Sequence, residues 1–260
     1  MIVDSHCHLD RLNYNEEFPD LEAVMQHAKA CDIGFMLCVA VTLEDVEGFK
    51  VLSQKYSNLA FSAGLHPLNE VPVEPSFGDF KQVASWDKVI AVGETGLDYY
   101  YDSVPKSLQI DRFKKQIQVA RAIKKPLIVH TRDARADTIR VLQDEKAQEA
   151  GGVLHCFTES LDMAMEALEL NFYISFSGIS TFRNAADLRE VIKALPIEKI
   201  LVETDSPYLA PVPFRGKPCV PGYTKIVAEQ VAASKGMKVE DVVKITTENF
   251  ERLFDLKVTD

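Results

Sequence analysis

Five of the six histidines in this chain lie at or just beyond the end of a short apolar segment. Two of them form the sequence His6-Cys7-His8. Alternate residues of a β-strand point to the same side, about 6.6 Å apart, so both imidazoles can converge on one metal ion while Cys7 points away. Because an HxH pattern often arises by chance, it is evidence for a metal site only together with other candidate ligands that end apolar segments.

Four further candidate metal ligands end other apolar segments of the sequence. They are Glu94, His130, His155 and Asp205. Glu94 shares the side-chain parity of the apolar residues before it, and a carboxylate on a buried face needs a cation. Imidazole and carboxylate donors suit Zn, Mn, Ni or Fe, and carboxylates also accept Mg. Since one open catalytic ion commonly takes three protein ligands, these residues predict a two-ion site in which Glu94 could bridge.

The segments that must position these residues alternate between strand and helix. Eight short apolar segments predict strands at residues 2–6, 35–41, 60–65, 89–93, 127–130, 152–155, 172–175 and 200–203. Periodic apolar residues predict helices at 21–30, 108–123, 134–142, 161–170, 185–195 and 223–233, with one or two more over 239–256. Strict alternation predicts a parallel sheet, and eight repeats favour an α/β fold of the (β/α)₈ TIM-barrel type.

Two local expectations accompany this fold. We expect one domain over residues 1–260, with the candidate ligands at the carboxyl ends of its strands. Gly93 and Gly96 are expected to form a sharp turn around Glu94. The remaining histidine, His27, falls in the middle of a predicted helix on a mostly polar arc, and we expect it to be solvated.

Composition and charge narrow the possible classes of function. The chain is 47% hydrophobic and 26% charged, which is typical of a globular protein. Its net charge of −10 argues against extensive nonspecific wrapping of nucleic acid, because that affinity comes from lysine and arginine. An enzyme that holds a few phosphates remains compatible with it. No leader or membrane-spanning segment is visible, and five cysteines without a CxxC pair indicate free thiols. We therefore expect a cytoplasmic monomer without a membrane partner.

Six sequence segments resemble the TatD family of metal-dependent hydrolases, and its YcfH branch in particular. They are DSHCHLD at 4–10, GLHP at 64–67, GETGLD at 93–98, VHTR at 129–132, HCF at 155–157 and ETDSPY at 203–208. The resemblance covers nearly the whole chain and implies a TIM-type barrel that binds two divalent cations of Mg, Mn or Zn. It implies one cation on His6, His8, Glu94 and Asp205, and a second on Glu94, His130 and His155.

The resemblance also implies an activity. Members of the family are associated with deoxyribonuclease activity, often from the 3′ end, in which water activated by two metals cleaves a phosphodiester bond. Asp205 and Glu94 would be the catalytic residues, with Asp205 orienting the water and accepting its proton. DNA ends, or another phosphodiester or ester, would be the substrate partner. Some relatives are described as D-aminoacyl-tRNA deacylases, so the fold and the ligands leave the substrate open.

Three residues are candidates for binding or positioning the substrate. His66 is assigned to a phosphate contact, with a structural hydrogen bond as the alternative. Arg132 could clamp a phosphate through two hydrogen bonds, or it could form a salt bridge with Asp133 or another acidic neighbour. Glu203 shares the parity of Asp205 and is expected to orient a metal ligand. Residues 99–101 are three tyrosines, which could stack on bases or pack over the barrel mouth.

Three functions therefore compete. The first is a nuclease that acts on DNA ends. The second is a hydrolase of another ester or amide, such as a D-aminoacyl-tRNA or a small phosphodiester. The third is a barrel that binds without catalysis, and the intact set of candidate ligands disfavours it. The negative charge favours a small or end-bound substrate, but it does not separate the first two functions.

Overall fold

The structure is a computed structural model of the chain and describes residues 1–258. Its eight strands form one parallel sheet in which their order along the sheet follows the sequence. The strands are β1 (Ile2–Cys7), β2 (Ile33–Cys38), β3 (Leu59–Ala63), β4 (Val89–Asp98), β5 (Leu127–Arg132), β6 (Gly152–Leu154), β7 (Phe172–Phe176) and β8 (Ile200–Val202). Each strand overlaps one of the eight segments that the sequence predicts.

The first strand is joined to the segment that follows the last one. Cys7 forms a parallel bridge with Ser206. The N–H of Asp205 donates to the carbonyl of His6 at 2.9 Å, and the N–H of His8 donates to the carbonyl of Ser206 at 2.8 Å. Together with the sequential strand order, these bonds confirm the predicted (β/α)₈ TIM-type fold.

Helices separate the strands, as the alternating pattern predicts. They are α1 (Leu21–Ala30), α2 (Asp45–Lys55), α3 (Phe77–Ala84), α4 (Lys106–Ile123), α5 (Arg135–Asp144), α6 (Leu161–Glu169), α7 (Ala186–Ala194), α8 (Thr224–Lys235) and α9 (Val239–Phe254). The sequence did not predict α2 and α3. The first buries only Val46 and Phe49 and the second only Phe80 and Ala84, so neither shows a long apolar face. No helix within residues 1–258 is long and apolar enough to cross a membrane.

The chain is divided into two compact units. The first contains Met1–Cys38, Cys156–Ala164 and Ile174–Asp260, and the second contains Val39–His155 and Met165–Tyr173. In the second unit, the ring of Phe61 stacks between those of Phe49 and Trp86, at 5.0 and 5.4 Å. The expectation of one domain over the whole chain stays a prediction.

In the first unit, His27 is packed against aromatic rings, so the expectation that it is solvated was wrong. Its ring lies 5.0 Å from that of Phe18 and 5.8 Å from that of Tyr223. A side chain at Gly222 would collide with the imidazole. The polar arc of α1 is covered by residues that follow β8, nearly 200 positions later in the sequence. Helical periodicity alone cannot reveal such a distant partner.

Candidate metal centre

The first candidate cluster consists of His6, His8 and Asp205, all in the first unit. The Nε2 atoms of the two imidazoles lie 3.2 Å apart. Asp205 Oδ1 lies 3.7 Å from the Nε2 of His6 and 3.4 Å from that of His8. Both histidines are buried, whereas 13% of the Asp205 side chain remains exposed. Three donor atoms therefore lie within 3.7 Å of one another, and one of them belongs to a partly exposed side chain.

Asp4 holds the backbone of this first cluster in place. Its Oδ1 accepts the N–H groups of His6 at 3.2 Å and Thr204 at 3.0 Å, and its Oδ2 accepts the Thr204 hydroxyl at 2.6 Å. Burial raises the pKa of Asp4 to about 7, against the opposing effect of these hydrogen bonds. Asp205 itself adopts the left-handed region at φ 60°, a strained conformation that recurs at functional sites.

The second candidate cluster surrounds the carboxylate of Glu94 in the second unit. Glu94 Oε1 lies 2.8 Å from His155 Nε2, 3.2 Å from His130 Nδ1 and 3.4 Å from His66 Nε2. Burial alone would raise the pKa of Glu94, but the imidazoles of His155, His66 and His130 hold that pKa well below its usual value. The carboxylate is therefore ionised among nitrogens that could share a cation with it.

A second carboxylate, Asp98, selects which nitrogen of His130 can bind a cation. Asp98 Oδ2 lies 3.0 Å from His130 Nε2. An ionised carboxylate only accepts hydrogen bonds, so Nε2 must carry the proton. Glu94 is also an acceptor, 3.2 Å from Nδ1, so a neutral ring that keeps its proton on Nε2 would leave the lone pair of Nδ1 for a cation that Glu94 shares. This is the arrangement by which carboxylates commonly orient a metal-binding histidine.

His66 has the opposite arrangement of its two nitrogens. Its Nδ1 accepts the backbone N–H of Leu68 at 3.2 Å, which leaves the proton of the neutral ring on Nε2. Although His66, Glu94 and His130 lie close enough to share a metal ion, a protonated Nε2 donates rather than coordinates. This geometry favours a hydrogen bond to an anion, and the assignment of His66 to a phosphate contact stays a prediction.

Glu94 lies inside a strand rather than at a turn, so the expected turn was wrong. Strand β4 continues to Asp98, with a shift in its register against β5 between Val92 and Thr95. Gly96 has φ +131°, and a Cβ there would overlap the carbonyl oxygen of His130. The glycine is thus required for close approach of two strands, because only glycine combines this φ with the absence of a side chain.

The two remaining predicted site residues have clear local partners. Glu203 is fully buried, and its Oε1 accepts the N–H of Cys156 at 2.7 Å. It therefore supports the backbone that directly follows His155, although its role toward a ligand stays a prediction. Arg132 lies over the ring of Tyr100, with 3.8 Å between its Cζ and the ring centroid. Within residues 1–258 it forms no ion pair with Asp133 or with another acidic residue, which was the alternative that the sequence left open.

Comparison with known proteins decides the family. The sequence profile of the family described as TatD related DNase matches residues 3–255. The chain belongs to the TatD family. It is 49% identical to the uncharacterized metal-dependent hydrolase YcfH of Escherichia coli K12, over 98% of this chain and 96% of that protein. It is 40% identical to the uncharacterized metal-dependent hydrolase YabD of Bacillus subtilis, over 98% of this chain and 99% of that protein.

A solved structure agrees with this assignment. The TatD homologue YJJV of Escherichia coli superimposes with a TM-score of 0.89 at 27% identity, over 98% of both chains. The resemblance to the TatD family and its YcfH branch is thus confirmed, and the chain is a metal-dependent hydrolase of this family. The donor sets of the two clusters fit that class, because each combines imidazole nitrogens with a carboxylate.

Sequence reasoning missed two glutamines of this TatD protein whose side chains support the segments that carry the second cluster. Gln116 on α4 accepts the N–H of Leu65 at 2.9 Å and donates to the hydroxyl of Thr95 at 2.7 Å. Gln109 accepts the N–H of Asp98 at 2.8 Å. These buried amides brace the backbone next to His66, Glu94 and Asp98. The available signal was their spacing of seven residues, which places both amides on one face of α4. Helical periodicity was applied to apolar residues alone, so the two amides were not predicted.

Replacing Asp98 by Asn should weaken cation binding at the second cluster by about 10- to 100-fold. The backbone N–H groups of Tyr100 and Tyr101 donate to Asp98 Oδ1, so they would hold the oxygen of an asparagine there. Its NH₂ group would then face His130 Nε2 and force the proton of the ring onto Nδ1. Isothermal titration of metal-free protein with Zn or Mn measures the affinity.

The matched control for this prediction is Asp102→Asn, because Asp102 is an exposed carboxylate in the same loop. It should leave the affinity unchanged. Affinity equal to that of the unmodified protein in the Asp98→Asn variant would show that Asp98 does not select the binding nitrogen of His130.

Proposed function

We propose that this TatD protein is a metal-dependent deoxyribonuclease that shortens DNA from its 3′ end. The observation that carries the proposal is the presence of two separate imidazole–carboxylate clusters, one around Asp205 and one around Glu94. Sites with two cations recur in nucleases and phosphatases. The description of the family as TatD related DNase supports DNA as the substrate.

Each cluster is proposed to hold one divalent cation of Mg, Mn or Zn. Divalent cations, when bound, supply Lewis-acid chemistry that lowers the pKa of water and offsets the charge of phosphoryl oxygens. Asp205 is partly exposed and has only acceptor atoms when ionised, so it can orient a water molecule and accept its proton. Glu94 provides the carboxylate of the second cluster, and Glu203 supports the backbone next to His155.

Two cationic or proton-bearing groups are proposed to bind the phosphate. The Nε2–H of His66, which lies 3.4 Å from Glu94 Oε1, is proposed to donate to a phosphoryl oxygen, since its Nδ1 is already an acceptor for Leu68. The planar guanidinium of Arg132 can donate two parallel hydrogen bonds. With a net charge of −10, the protein is proposed to act as a monomer on DNA ends rather than to wrap a duplex.

The test restores Mg, Mn or Zn separately to protein freed of metal by a chelator. Each sample receives 3′-labelled single-stranded DNA, a D-aminoacyl-tRNA or a generic phosphodiester. We expect the 3′ label to be released only after a cation is restored, since the clusters lack another source of Lewis-acid chemistry. If DNA stays intact with every cation while either other substrate is hydrolysed, the deoxyribonuclease proposal is wrong.

A further inference from the structure

Two exposed tyrosines are connected to the second cluster through one carboxylate. Tyr100 and Tyr101 are 56% and 50% exposed, and their rings lie 4.8 Å apart at an angle of 87°. Their backbone N–H groups donate to Asp98 Oδ1 at 2.9 and 3.3 Å. Since Asp98 Oδ2 holds His130, the pair has a defined position beside a candidate cation ligand.

Arg132 completes this surface. It ends β5, pairs in register with Asp98 on β4, and places its Cζ 3.8 Å from the ring centroid of Tyr100 and 5.2 Å from that of Tyr101. Arginine stacked on an aromatic face keeps the N–H donors of its planar fork available at its edge. Within the described residues 1–258, no carboxylate forms an ion pair with Arg132. An anion can therefore take those donors.

Tyr99 shows how a tyrosine used for packing differs from this pair. Its hydroxyl donates to Asp137 at 2.7 Å, and Lys106 Nζ lies 4.2 Å from its ring centroid. The hydroxyl and the ring of Tyr99 are thus already engaged with side chains of the protein. Tyr100 and Tyr101 instead are 56% and 50% exposed, and within residues 1–258 the hydroxyl of neither one is hydrogen-bonded to another side chain.

We propose that Tyr100, Tyr101 and Arg132 form a subsite for the terminal nucleotide of a single DNA strand. Because the two rings are perpendicular, one of them stacks on the face of the base while the other contacts its edge, and the guanidinium binds oxygens of its phosphate. The inference rests on the proposed function and adds which group of the substrate is recognised. Because every base has an aromatic face, this Tyr–Arg subsite selects a strand end without selecting its sequence.

The test uses direct binding, so it does not depend on catalysis. Single strands labelled with fluorescein at the 5′ end carry either a natural base or an abasic residue at the 3′ end. Binding to protein kept metal-free with a chelator is measured by fluorescence anisotropy. Tyr100→Leu and Tyr101→Leu should each weaken binding of the base-bearing strand by about 5- to 100-fold. Both leucine variants should bind the abasic strand with the same affinity as the unmodified protein.

Replacement of Arg132 separates the two halves of the subsite. Arg132→Lys keeps the charge but removes the planar fork, so it should weaken binding of both strands by the same factor. Tyr100→Phe and Tyr101→Phe keep the ring and should retain the affinity that the leucine variants lose. Tyr56→Leu is the matched control, since it removes a partly exposed tyrosine at the end of α2.

Either of two results would contradict the subsite. The leucine variants could bind the base-bearing strand as tightly as the unmodified protein does, or their affinity could fall by the same factor for both strands. A cleavage assay with restored cation separates this inference from the proposed function. Cleavage of DNA with no base-dependent effect of leucine contradicts the Tyr–Arg subsite alone. Binding that depends on the base and on the tyrosines, without cleavage, supports the subsite and contradicts the deoxyribonuclease proposal.

Discussion

Replacing Asp205 by Asn should lower turnover by at least about 10³-fold and leave the fold intact. Asp205 Oδ1 lies 3.4 Å from His8 Nε2 and 3.7 Å from His6 Nε2, so the substitution removes the negative charge from the first cluster. A carboxamide is also too weak a base to accept a proton from water. Asparagine tolerates the left-handed backbone that Asp205 adopts at φ 60°, which is why it is the conservative replacement.

The measurement compares initial rates of release of a 3′ label after cation is restored to each protein. Thermal melting followed by circular dichroism tests whether the variant is folded. Glu229→Gln is the control, because it removes a carboxylate from the exposed face of α8 and should keep both rate and melting temperature. If the Asp205→Asn variant turned over substrate as fast as the unmodified protein, Asp205 would be neither a required metal ligand nor the base.

Replacing Glu94 by Gln should remove at least one bound cation per chain and with it the hydrolytic activity. Glu94 is the carboxylate toward which His66, His130 and His155 all point, at 2.8 to 3.4 Å. Those imidazoles hold its pKa well below the usual value, so the ionised form is present at neutral pH. A neutral amide would leave the second cluster without a negative charge to offset the cation.

Metal analysis by mass spectrometry after gel filtration gives the number of cations per chain for each protein. Glu149→Gln is the matched control in the second unit, since Glu149 is an exposed carboxylate that pairs with Arg121. It should retain the full metal content. An unchanged metal content in Glu94→Gln would show that the second cluster does not need this carboxylate.

The eight strands were predictable because each is a short apolar segment that a helix or loop separates from the next. Parallel strands align their carboxyl ends, so residues that end different segments, such as His6 and Asp205, could be expected to meet. The prediction weakened where the local signal was poor. Helices α2 and α3 were not predicted, since the first buries only Val46 and Phe49 and the second is eight residues long.

The amino-acid sequence by itself determined the donor types, their order along the chain and the alternation of strand and helix. These features are local, because they depend on side-chain chemistry and on periods of two or 3.6 residues. The tertiary structure alone decided which nitrogen of His130 faces Glu94 and how Arg132 lies on Tyr100. It also decided that Asp4 binds Thr204, 200 positions away. Such contacts come from packing between distant elements, which no local spacing encodes.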